Sequence, residues 1–331
     1  MHLCYNLYIG ARTRIASWKG DNVSADTLPI SVGLLMGVGG LGDQSFNDSA
    51  YLGLLAVQRQ YHIKFETDTW GMLNQNLATL RRWADSGFKL IIALSYGHAP
   101  AITQVATERP GQQFAIVDAT VEAPNVWSIT FREYEGDFVV GALAALVTRT
   151  RRVGFVGGGA TPIVRRIEAG FAQGVAYINP NISILSDYVG VFDDPARGRL
   201  LAETQYASGA DVILQAAGRC GLGAIEAAKS FGRYIISTGA DHSELAPYVV
   251  LTSRVKRVDN AVYDVVEAVL QDSFQGGSVH SYGFAEDGLT IAPFRPEVAN
   301  IVTPEIQARL QQIKEDVASG QVQVKLDPLD Q

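Results

Sequence analysis

From Pro29 onward the chain alternates between short apolar runs and amphipathic stretches of ten residues or more. Ile30–Met36 (ISVGLLM) reads as a strand. Ser45–Tyr61 follows with apolar positions Phe46, Ala50, Leu54 and Val57 at steps of four and three, one face of a helix. Ser45 with Asp48 three residues on forms a helix-start pair, an acid lying in the first turn. The same reading gives strands at His62–Thr67, Lys89–Ala93, Gln113–Val117 and Val126–Phe131, with helices at Asn74–Ser86 and Ala99–Arg109. After a seam near 131–135 the alternation starts again. Helices fall at Gly136–Thr148, Ile163–Ile178, Asp194–Ser208 and Gly223–Phe231, strands at Arg152–Val156, Ile182–Tyr188, Asp211–Gln215 and Tyr234–Thr238. Val249–Ser253, the helix Val258–Gln271 and the helix Pro304–Ser319, opened by Thr303-Pro304, remain to be shared between the two series. Short strands alternating with helices imply parallel α/β sheets, here in two lobes.

The length of 331 residues agrees with about two domains. With 47% hydrophobic and 18% charged residues the chain is core-rich, which excludes disordered and low-complexity classes. No run of 18 apolar residues occurs, so no segment reads as a membrane-spanning helix. A net charge of −7 argues against a nucleic-acid partner, which calls for clustered Lys and Arg. Two cysteines, Cys4 and Cys220, cannot make a disulfide framework or a four-thiolate metal site. Residues 1–29 lack periodicity and are expected to be poorly ordered or part of a leader. His2, Asn6 and Arg12 interrupt that segment, and no small residue precedes Cys4 as lipidation would require. The 33 glycines exceed the usual share of about 7%, and the surplus is expected in the turns after strands.

In open parallel sheets ligands bind beyond the carboxyl ends of the strands, so those turns carry the functional reading. Gly37–Gly42 has the G-x-G-x-x-G form of a dinucleotide site, with Glu66 about two dozen residues on. Asp43 and Asp48 at the start of the next helix would repel a pyrophosphate there, which leaves an NAD-type oxidoreductase as a weak alternative. A carboxylate at that place suits a neutral ligand rich in hydroxyls. Asp118, Asp241 and Lys256 stand at other strand ends, each also open to a reading as a cap or surface charge. Gly157–Gly159 and Gly218–Gly223 are loops fit for tight turns or for ligand contact through backbone N–H groups. The five histidines are scattered, and no metal-ligand spacing, nucleophile elbow or P-loop occurs. The expectation is a binding protein with no catalytic residue, no metal and no cofactor.

The segment Gly39-Gly-Leu-Gly-Asp43-Gln-Ser45-Phe46-Asn47 resembles the D-x-G-x-x-x-D-x-S-F-N signature of the basic membrane protein family, nucleoside-binding lipoproteins of the PnrA and Med type. The likeness continues through FAIVD, DVILQAAG, EAAK, STGAD, LTSRVKRVD-x-AVY and GLTIAPF, over about residues 30–320. It implies a type I periplasmic binding protein fold, two Rossmann-like lobes with parallel sheets joined by a hinge. The lobes would comprise residues 30–131 plus 252–284 and residues 132–251 plus 285–331. It further implies an extracytoplasmic, monomeric receptor, periplasmic or lipid-anchored, that hands its ligand to an ABC permease. A purine nucleoside would lie in the cleft, Phe46 stacking on the base or else facing the core. Asn47, with neighbouring polar groups, would bond the base edge or the loop backbone, and Asp118, Asp241 and Lys256 would hold the ribose. Asp43, Ser45, Gly218 and Arg219 complete the expected ligand set. Three departures stand out: Gly37 replaces the first Asp of the signature, Leu214 an aromatic that would close a base sandwich, and Arg219 a glycine. They leave room for riboflavin or another ligand, and the lack of a clear leader leaves room for an intracellular sensor on the same fold.

Overall fold

The computed structural model describes residues 29–326. The readings of residues 1–28, including Cys4, lie outside these residues. The first lobe opens with β1 (Ser31–Leu35), α1 (Phe46–Tyr61), β2 (Lys64–Asp68), α2 (Leu73–Asp85), β3 (Leu90–Leu94), α3 (Ala99–Glu108), β4 (Gln113–Val117) and β5 (Val126–Phe131). The second holds α4 (Glu133–Val147), β6 (Arg152–Gly157), α5 (Pro162–Ile178), β7 (Ser183–Tyr188), α6 (Pro195–Ala207), β8 (Val212–Ala216), α7 (Cys220–Phe231), β9 (Tyr234–Gly239) and β10 (Val250–Lys256). The chain then returns to the first lobe for α8 (Val258–Leu270) and β11 (Val279–Tyr282), and ends in the second with β12 (Leu289–Ile291) and α9 (Pro304–Ala318).

Each lobe is a six-stranded sheet covered on both faces, as parallel strands require. The orders are β11-β5-β4-β3-β1-β2 and β12-β10-β9-β8-β6-β7, all pairs parallel except the antiparallel β10–β12. In the first lobe α1 and α8 cover one face through Ala50, Leu54, Val57, Val262 and Val265, while α2 and α3 cover the other around Leu80, Trp83 and Ile102. In the second, α4, α5 and α9 pack on one face and α6 and α7 on the other. The apolar stripe of α1 thus faces the core as its spacing predicts. The short edge strands β11 and β12 carry too few apolar residues to show a period, and the sequence reading passed over both. The expected placement of 252–284 in the first lobe also shifts: β10 bonds to β9 and β12, so the crossing lies at Arg257.

Part of the glycine surplus lies in helix interiors rather than in turns. A Cβ on Gly141 or Gly174 would overlap the carbonyl of Phe171 or Phe138, so α4 and α5 meet backbone to backbone. Gly198 and Gly223 do the same where α6 meets α7. Three crossings join the lobes, and side chains tie them to one another. Arg132 in the first donates to the Ser281 carbonyl at 2.8 Å and to Glu286 at 2.6 Å, on either side of the third. Arg257 N in the second donates to the Gly288 carbonyl at 2.8 Å.

Candidate functional site

The C-terminal strand ends of the two sheets face each other across the crossings, and of the sequence-predicted residues Asp118, Lys256 and Phe46 meet there. The β1–α1 loop is locked by its own acids. Asp43 accepts from the amides of Ser45 (2.9 Å), Asn47 (2.9 Å) and Asp48 (3.2 Å) and from Asn47 Nδ2 (2.8 Å). Burial pushes its carboxyl above the usual range, against the pull of those amides. Asn47 Oδ1 accepts from Gly37 N at 2.8 Å, and Asp48 caps Gly42 N and Gln44 N. This corrects the reading of Asp43 as an acceptor for ligand hydroxyls: it is buried, and its oxygens turn inward to serve the orphan donors of α1. The expected cap, Ser45, makes no side-chain capping bond. It approaches the second lobe instead, where a Cβ on Gly239 would overlap its Oγ. Because the helix start already holds the Asp43 and Asp48 carboxylates, a pyrophosphate would meet like charge there.

Asp118 follows β4 in a left-handed conformation, φ 64°. From the second lobe Lys256, the last residue of β10, reaches across with Nζ 2.6 and 2.7 Å from the two Asp118 oxygens. The same ammonium lies 2.7 Å from Glu133 Oε1 and over the rings of Phe131 (4.6 Å) and Phe46 (5.2 Å). Burial raises the Asp118 carboxyl, with Lys256 opposing. For Glu133 burial acts upward too, but Lys256 and Arg166 outweigh it and hold the group low. Deeper in the same lobe Arg254 pairs with Asp137 at 2.9 Å, and burial pushes Asp137 up to about 7. Phe46 is half-buried, against both the first-lobe core and this cation.

In the second lobe Gly158 and Gly159 lie against the ring of Phe192, and Gly218, φ 56°, passes its carbonyl. Arg219 is exposed at the start of α7 without a capping bond, and makes no ion pair among the described residues. Asp241 Oδ1 accepts from Ser243 N at 2.9 Å. Leu214, expected where an aromatic would close a base sandwich, is wholly buried in the second-lobe core. Phe192, which the sequence reading missed, is the second-lobe aromatic at a strand end. Its signal was there to find: an aromatic in the β7–α6 turn just before Asp193-Asp194-Pro195. Glu133 and Phe131 were missed as well, because they stand at a chain crossing and not in a strand-end loop.

A cavity of about 570 Å³ lies between the lobes, bounded by Asp118, Thr120, Phe131, Tyr134, Ile163 and Arg166. Of the sequence-predicted residues only Asp118 lines it. Contacts Ser45–Gly239, Asp118–Lys256 and Gln44–His242 show the lobes closed on each other.

Two sheets with facing strand ends, three crossings and a cavity between them define a two-lobed solute-binding protein of the type I periplasmic fold. An ABC transporter solute-binding protein from Aeropyrum pernix K1 matches with a TM-score of 0.82 at 26% identity, over 91% of this chain and 95% of the other. The family described as ABC transporter substrate-binding protein PnrA-like matches residues 30–327, and the chain belongs to it. It is 32% identical to a CD4+ T-cell-stimulating antigen of Listeria innocua, over 94% of this chain and 91% of the relative. It is 26% identical to the ABC transporter nucleoside-binding protein BmpA of Lactococcus lactis, over 95% and 93%. Among the described residues no helix is long and apolar enough to cross a membrane.

Proposed function

We propose that this protein is the receptor of an ABC importer, closing its lobes on a purine nucleoside or a similar hydroxylated ring compound and presenting the closed form to a permease. The observation that carries the reading is the Asp118–Lys256 pair spanning the cleft beside the Phe46 and Phe131 rings. A carboxylate accepts from paired sugar hydroxyls, an ammonium donates to ring or sugar oxygens, and aromatic faces take a flat base. The name of the Lactococcus lactis relative supports the same ligand class. Closure follows from the ligand's greater affinity for the shut arrangement. The protein works outside the cytoplasm, free or lipid-anchored, and fractionation of cells expressing the gene in its native context distinguishes the two.

Titration calorimetry with adenosine, guanosine, inosine and riboflavin tests the ligand. Binding of at least one is expected, weakened about 5- to 150-fold by Phe46→Ala or Phe192→Ala, the equivalent of about 1–3 kcal/mol of stacking. A folded protein that binds none of the four would refute the ligand class.

A further inference from the structure

One buried side-chain chain in the second lobe ends on the first. Gln215 on β8, Ser237 on β9 and His242 in the following turn are all at most 4% exposed. The Ala217 amide donates to Gln215 Oε1 at 3.2 Å, which orients the Gln215 amide group. Gln215 Nε2 therefore donates to Ser237 Oγ at 2.5 Å. Ser237 Oγ lies 2.5 Å from His242 Nδ1; the Gln44 carbonyl on the other ring nitrogen can only accept, so in the neutral ring Nε2 carries the proton and Nδ1 accepts from the Ser237 hydroxyl. His242 is thereby fixed as the neutral tautomer carrying its proton on Nε2. That proton is donated across the cleft to the carbonyl of Gln44, 2.9 Å away. The backbone amide of His242 is held by Ser253 Oγ on β10 at 3.0 Å.

The receiving end is set with equal care. Gln44 is a non-glycine residue at φ 50°, a left-handed conformation that costs energy and persists only when held. Asp48 Oδ2 fixes its amide at 3.0 Å. Its carbonyl faces the second lobe, two residues before Phe46. The groups around the imidazole are Ser237, Gln215 and Ser253 from three strands, Asp241 beside it, and Gln44 and Asp43 from the opposite loop.

We infer that His242 is an inter-lobe latch and a positioning residue: its Nε2–H bond to Gln44 stabilises the closed arrangement and sets the β1–α1 loop that carries Phe46, without touching the ligand. The inference rests on reading the protein as a receptor that closes, but not on which ligand it takes. His242→Phe keeps a ring and removes both nitrogens. Ser237→Ala leaves the imidazole and frees its tautomer. Inter-lobe distances measured between spin labels, one on each lobe, give the closed-to-open ratio without ligand, and stopped-flow mixing with guanosine gives the rates. His242→Phe should lower the unliganded ratio roughly five- to tenfold, the size of one lost buried hydrogen bond. Guanosine should then leave faster by a similar factor, with the association rate unchanged. Ser237→Ala should shift both quantities in the same direction by less. A folded His242→Phe protein with the wild-type ratio overturns the latch. Should that variant fail to fold, a wild-type ratio in Ser237→Ala overturns it instead. A shifted ratio in a protein that does not bind guanosine sustains the latch and counts against the nucleoside reading alone.

Discussion

Replacing Lys256 by methionine keeps an apolar stem between Phe46 and Phe131 and removes the ammonium that three carboxylate oxygens surround. Asp118 and Glu133, with side chains only 10% and 1% exposed, would then face each other with no cation between them. Removing one partner of a buried pair costs about 3–5 kcal/mol. Arg166, 4.0 Å from Glu133, limits the loss toward the lower figure. At roughly 2–4 °C per kcal/mol the melting temperature should fall by roughly 6–20 °C. The pH dependence carries the sharper test. Burial already raises the Asp118 carboxyl, and Lys256 is the largest influence drawing it down. Without the lysine the folded pKa rises further above the unfolded value. Such a group favours folding when protonated, and that advantage fades as pH rises through the two values. Calorimetric scans at pH 5 and pH 8 should therefore show a smaller deficit against wild type at pH 5, and Asp118→Asn added to Lys256→Met should restore part of the loss. A deficit below about 1 kcal/mol that is equal at both pH values would refute the reasoning.

Alanine for glycine inside a helix ordinarily stabilises by about 1 kcal/mol; at Gly174 the sign should reverse, because the new Cβ overlaps the Phe138 carbonyl. A loss of about 1–3 kcal/mol in urea unfolding is expected, and a gain would show that α5 can move off α4 at little cost. Asp43→Ala removes the acceptor of three amides and of Asn47 Nδ2, and should lower stability by about 0.5–2 kcal/mol in the same assay. Burial holds His98 and His242 below the usual histidine value, against the carbonyls of Met36 and Gln44. The unfolded chain then binds the extra protons, so these groups make stability fall as pH drops below about 6.5. His242→Phe should remove its share of that slope, at most about 1.4 kcal/mol per pH unit, and an unchanged slope between pH 7 and pH 5 would count against it.

The alternation of elements was legible because it is local. A run such as Leu90–Leu94 is buried on both faces and reads as a central parallel strand. Thr303-Pro304 announces α9, and its threonine accepts the capping bond; α5 opens in the same way at Thr161-Pro162. What stayed hidden was non-local. Nothing in residues 250–256 says which sheet they join, since that depends on where the chain crosses between lobes. At the site, residue type marked Asp118 and Lys256, and the structure brings them together. Type alone could not tell a carboxylate that faces the cleft from Asp43, which turns back onto its own helix. Leu214 carries no mark in its own residue type of being a wholly buried core position in a central strand. Phe192 and Glu133 acquire meaning only from neighbours in space.

The first sheet ends in β11, which pairs with β5 although some 150 residues, most of them second lobe, lie between them in the chain. The α8 helix that covers one face of the sheet arrives equally late. During synthesis the first lobe must therefore wait, with the edge of β5 unpaired and part of a core face open, until residue 282 has emerged. At about 5–20 residues per second that interval is roughly 8–30 s. An exposed strand edge and an uncovered apolar face are what aggregation and chaperones recognise. Neither lobe is a unit the ribosome can finish alone, and the three crossings that join the lobes also make the whole two-lobed domain its smallest folding unit.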